Sequence, residues 1–125
     1  MKATILLPDL QQEVTLQRGD SMFWIRRGVM PKWYAGLYIA RGQRRIDDEQ
    51  LQKRVADASA DEMIDLLAYD DALVAFALKG SAVKAEDLSP EDYDVVLAFA
   101  KNGVVPDDVK GEQERAALET FRAES

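Results

Sequence analysis

Apolar and polar positions change rhythm along this chain. In "ATILL" and "EVTLQ" β-branched and aliphatic residues sit in short runs separated by the turn-prone "PDLQQ", which predicts a β-hairpin over residues 1–18. A lone hairpin is marginal in water, so it has to pack on helices or pair with another edge. From residue 20 onward the rhythm is helical. Asp20 or Ser21 can cap a short helix carrying Met22, Phe23 and Ile25, with Gly28 as its stop. Pro31 then suits a first helical position, and "PKWYAGLYIARG" continues with Tyr34, Leu37 and Tyr38 on one face up to Gly42. The stretch "IRRGVMPKWYAG" therefore reads as a corner between two helices.

Three further helices follow. "DDEQLQKRVADA" opens with Asp47 three residues before Gln50, a capping-box arrangement, and has apolar positions only at Leu51, Val55 and Ala58, so it belongs on the surface. "SADEMIDLLAYDDALVAFALKG" repeats the box with Ser59 and Glu62. It places Met63, Leu66, Leu67, Leu73, Val74 and Ala77 along an expected core stripe before Gly80 stops it. Its second half is apolar nearly all round and is the expected central helix. "LSPEDYDVVLAFAKNG" has Ser89 as cap, Pro90 at the first position, Asp92 where a box would place glutamate, and Gly103 as stop. The rest, 104–125, mixes a linker with a marginal, highly charged helix bearing Ala117, Leu118 and Phe121. The expectation is a mainly α (α+β) chain, one domain over 1–125. It has an N-terminal β-hairpin, a helical core over 20–103 forming a compact bundle of five or six helices, and a C-terminal appendage.

Composition limits the chemistry. With 125 residues and 47% hydrophobic content, one real core needs no metal or disulfide to sustain it. Cysteine and histidine are both absent. Their absence removes thiol nucleophiles, sulfur-ligated metals, histidine-based triads and the commonest metal ligand. The opening apolar run is too short for a signal peptide, and "ALVAFAL" is too short for a bilayer needing roughly 20 residues, so a soluble, unexported protein without a membrane partner is expected.

The net charge of -7 is unevenly distributed: residues 1–54 carry about +4 and residues 55–125 about -11. The acidic half argues against a general nucleic-acid binder, and the polarity suits head-to-tail homo-oligomers. The acid pairs Asp47-Asp48, Asp70-Asp71 and Asp107-Asp108 are candidate catalytic or metal carboxylates. The first and last also suit a helix start and a turn, and Asp70-Asp71 interrupts an apolar helix. No glycine motif for phosphates is present. The set Arg26, Arg27, Lys32, Trp33, Tyr34, Arg41, Arg44 and Arg45 can be read in two ways. It is either a platform for single-stranded nucleic acid, with bases stacked between cations, or core aromatics with a solvated basic rim.

The order of "LLPDLQQEVTLQRG", "IRRGVMPKW", "LSPEDYDVVLAFAKNG" and "ETFRAES" resembles the tail assembly chaperones of long-tailed bacteriophages. Small members of that family open with a strand-rich "LP…V.L.R" segment, turn at a "G-x-x-P" corner and finish with an acidic helix and a tail containing "FR". The matching pieces cover both ends of the chain and little of 43–80, and the aromatic-rich "KWYAGLY" departs from the family's smaller aliphatics.

The resemblance implies a non-enzymatic protein of the host cell cytoplasm that needs no cofactor, metal or catalytic group. It would coat the tape measure protein, keep it soluble, help recruit tail tube protein, and leave before the virion matures. Such chaperones often exist in two lengths through a ribosomal frameshift, and this chain would be the shorter form. Since aromatics dominate interface energetics, Trp24, Trp33, Tyr34 and Phe121 are the expected partner-binding anchors, with Arg122 beside them.

Overall fold

A computed structural model of the chain describes residues 2–104; Phe121, Arg122, the pair Asp107-Asp108 and the expected C-terminal helix lie outside the described residues. Strands β1 (Lys2–Leu6) and β2 (Glu13–Gln17) are followed by helices α1 (Ser21–Arg26), α2 (Lys32–Gly42), α3 (Asp48–Ala56), α4 (Ala60–Ala77) and α5 (Pro90–Asn102). A single 3-10 turn at Ala85–Asp87 precedes α5. The architecture is thus the expected mainly α (α+β) one, a hairpin followed by helices. Among the described residues, those up to Arg18 group with 73–104, and Gly19–Ala72 form a second compact unit. Among the described residues no helix is long and apolar enough to cross a membrane.

In the first unit the strands pair antiparallel with Ala3 opposite Leu16, Thr4 opposite Thr15 and Ile5 opposite Val14. Side chains alternate across a strand, so Ile5, Val14 and Leu16 are buried together while the Thr4 and Thr15 hydroxyls meet at 3.2 Å on the open face. The ribbon is tied down at its second strand. Gln17 Nε2 donates to the Phe76 carbonyl at 3.0 Å, and Arg18 donates to the carbonyls of Ala100 (3.3 Å) and Lys101 (2.7 Å). The Ala100 and Lys101 carbonyls belong to the end of α5, where unpaired acceptors and the negative end of the helix dipole favour a cation.

Helix α5 starts and stops where its residues predict. Ser89 Oγ accepts from the Asp92 amide at 3.1 Å, Pro90 occupies the first turn, and Gly103 closes the helix at φ 68°. Asp92 itself does something the local pattern did not suggest. Its carboxylate, with 0% exposure, accepts from the backbone amides of Asp9 (2.9 Å) and Leu10 (3.1 Å) in the hairpin turn. The turn is closed by Gln11 N donating to Leu7 O and Leu7 N donating to Gln12 O, which leaves those two amides pointing outward for Asp92. The Ser89 hydroxyl also meets the Asp9 carboxylate.

Helix α4 buries Leu66, Tyr69, Leu73, Val74 and Ala77. Met63 and Leu67, expected in that core stripe, face solvent instead. The helix is apolar on more than one side, so the 3.6-residue period alone does not select the buried face.

Candidate functional site

The unit Gly19–Ala72 carries the expected corner and most of the aromatic residues. Asp20, not Ser21, caps α1: its Oδ1 accepts from Phe23 N at 2.8 Å. After α1, Gly28 takes φ 69°, and the amides of Val29 and Met30 turn back to the Trp24 carbonyl. Pro31 precedes α2 as its cap residue, one position earlier than expected, and its carbonyl accepts from Ala35 N at 2.8 Å. "IRRGVMPKWYAG" is therefore a helix corner.

The rings form a connected cluster. Phe23 meets Trp24 edge-on at 5.0 Å between centroids, Trp24 meets Tyr69 edge-on at 6.4 Å, and Tyr69 lies 6.1 Å from Tyr34. Tyr34 in turn contacts Trp33 (5.9 Å) and Tyr38 (6.4 Å). These separations are those at which edge-to-face and tilted pairs attract. Trp24 is 5% exposed and is a core residue, which removes it from the set of surface anchors. Its position is explained by the short α1, whose only buried side chain it is. Trp33 and Tyr34 are half-buried and remain at the surface.

Arginines close over the outer rings. Arg27 lies 4.0 Å above the Phe23 ring, Arg41 4.5 Å above Tyr38, and Arg54 4.8 Å above Trp33. Arg54 was not singled out in the sequence, yet it links three helices. From α3 it covers Trp33 of α2 and grips Glu62 of α4 through two hydrogen bonds, Nη1 to Oε1 at 3.2 Å and Nη2 to Oε2 at 2.6 Å. Glu62 also accepts from Ser59 N at 3.0 Å, while its own amide donates to Ser59 Oγ at 3.2 Å, completing the expected capping box. The hydrogen bonds from Arg54, then that from the Ser59 amide, hold the Glu62 carboxyl below its ordinary value. The same pairing raises that of Arg54.

Of the acid pairs, Asp47-Asp48 is accounted for locally. Asp47 completes a capping box with Gln50, and Asp48 pairs with Arg41 at 3.2 Å. Both line an open hollow of about 450 Å³ with Arg41, Arg44, Arg45, Ile46 and Gln50. Asp70 is half-buried and Asp71 exposed on α4. Among the described residues no group of three or more acidic side chains is placed to hold a metal ion.

What local pattern concealed is an aliphatic strip on the outer side of α4. Ile64 is 61% exposed, Leu67 57% and Met63 42%. Spacings of three and four residues put them on one helical face. The sequence carries apolar residues on both sides of the Leu66–Tyr69 stripe, and Met63 and Leu67 have the character of core residues. Compared with protein-family models, curated proteins and solved structures, the chain shows no match.

Proposed function

We propose that the chain is a tail assembly chaperone that binds the tape measure protein, keeps it soluble and promotes assembly of the tail tube around it. The observation that carries this reading is the exposed Met63, Ile64 and Leu67 strip on α4. A long helical partner buries its own apolar face against such a strip, as in helix-in-groove recognition. Methionine beside two branched aliphatics gives a surface that accommodates several sequences in turn, which a coat along a filament-like partner requires. Trp33 and Tyr34, half-buried at the surface of the same unit, are the aromatic contributors. Action is by contact, in the host cytoplasm, with no cofactor. The order of sequence motifs supports the same assignment.

The nucleic-acid reading is less well supported. Stacking of bases needs open ring faces, and Phe23, Tyr38 and Trp33 each carry an arginine of this chain.

Co-expression with the tape measure protein is the test. The expected result is a soluble complex that co-purifies, and loss of that complex when Ile64 and Leu67 are both replaced by serine in a chain that keeps its helical circular dichroism. A wild-type chain that is folded and leaves the tape measure protein insoluble overturns the proposal.

A further inference from the structure

The charge around the strip narrows its partner. Helix α4 carries Asp61, Glu62, Asp65, Asp70 and Asp71 among its eighteen residues and no lysine or arginine. Glu62 is taken up by Arg54 on the opposite edge from the strip. Asp61 and Asp65, four residues apart and both exposed, run along the flank beyond Ile64. The aliphatic surface is thus bordered by anionic groups along its Ile64 flank.

We infer that the strip on α4 docks an amphipathic helix whose aliphatic stripe is flanked by lysine or arginine. This rests on the proposed chaperone reading and specifies which segments of a tape measure protein the site selects. Aliphatic contact supplies affinity for any apolar helix, while the acidic border discriminates among them and speeds encounter with basic ones. An anionic membrane surface is disfavoured by the same border, because carboxylates at its rim meet lipid headgroups of like charge.

Two synthetic helical peptides of about 20 residues serve as probes, long enough to hold a helix. They share one leucine stripe at i, i+3, i+4 and i+7 and carry either lysine or glutamate flanks. Binding to the full chain is followed by fluorescence anisotropy at low and high salt. The lysine-flanked peptide is expected to bind about tenfold more tightly at low salt, the advantage shrinking as salt screens the border. L67S is expected to weaken both peptides, and D61N combined with D65N to abolish the preference while leaving binding of the glutamate-flanked peptide unchanged or improved. Equal binding of the two peptides, or a preference that survives D61N/D65N, overturns the inference. So does an oligomer of the wild-type chain that L67S dissolves, since that assigns the strip to a second copy. Rescue of the tape measure protein without any charge preference in the peptides leaves the chaperone reading standing and sinks this one. A preference for the lysine peptide without rescue does the reverse.

Discussion

Replacing Asp92 by asparagine exchanges one carboxylate oxygen for an amide nitrogen and changes almost no volume. In the native chain each oxygen has one job: Oδ1 accepts from the Asp9 amide at 2.9 Å and Oδ2 from the Leu10 amide at 3.1 Å, in a side chain with no exposure. Asparagine has one acceptor oxygen, so in either orientation its NH2 group faces one of these donors. One charge-assisted hydrogen bond is lost, about 1.5–3 kcal/mol. The negative charge at the first turn of α5 goes with it, about 0.3–1 kcal/mol more. D92N is therefore expected to destabilise by about 2–4 kcal/mol, and with a urea slope near 2 kcal/mol/M the unfolding midpoint falls by about 1–2 M. Asp94→Asn, exposed on the same helix, is the control and should stay within about 0.5 kcal/mol of wild type. Amide exchange at Asp9 and Leu10 gives the local readout and should accelerate in D92N alone. If D92N unfolds at the same urea concentration as the Asp94 control, the carboxylate does not hold the turn and the reasoning is refuted.

Other perturbations test the second unit. Arg44 sits at φ 60° just after α2, with the Arg45 amide reaching back to the Ala40 carbonyl at 2.8 Å. This is the left-handed helix ending that glycine favours. R44G should raise stability by about 0.5–1 kcal/mol, read as a higher melting temperature. A methyl group at Gly19 would come 2.8 Å from Phe23 Cδ1, so G19A must displace that ring from Trp24 and Arg27. A loss of about 1–3 kcal/mol follows, again by thermal or urea unfolding. Because the Glu62 carboxyl is held low in the fold, the unfolded chain takes up its proton first as pH falls. The stabilisation from the Arg54 pair is therefore whole above the ordinary carboxylate value and is lost as pH drops through the lowered one. An NMR titration should show Glu62 returning toward its ordinary value in R54A, and the stability gap between R54A and wild type closing in acid.

Features written within four residues were legible in advance. Asp47 with Gln50, Ser59 with Glu62, and Ser89 with Pro90 set three helix starts, because a cap bonds to amides two or three positions away, and Gly103 sets the end of α5. The hairpin was legible from its strand residues and the intervening turn. Three other features join residues that no local period connects. Arg54 finds Glu62 across a turn between helices, Asp92 finds amides 83 and 82 positions earlier, and Tyr69 joins rings from α1 and α2. The outer strip of α4 escaped for a different reason. Met63 and Leu67 have the character of core residues, and only the placement of neighbouring helices decides which side of an apolar helix stays wet.

The tie between Asp92 and the hairpin turn also has a meaning in time. The turn amides lie 83 and 82 residues ahead of the carboxylate that receives them, so during synthesis the ribbon precedes its partner. At about 5–20 residues per second that interval is roughly 4–16 s. Throughout that interval the Asp9 and Leu10 amides lack the carboxylate that receives them in the fold. Nascent chains halted before and after residue 92 should differ in protease attack at the turn. Closure of the turn between β1 and β2 is thus deferred until the start of α5 has been made.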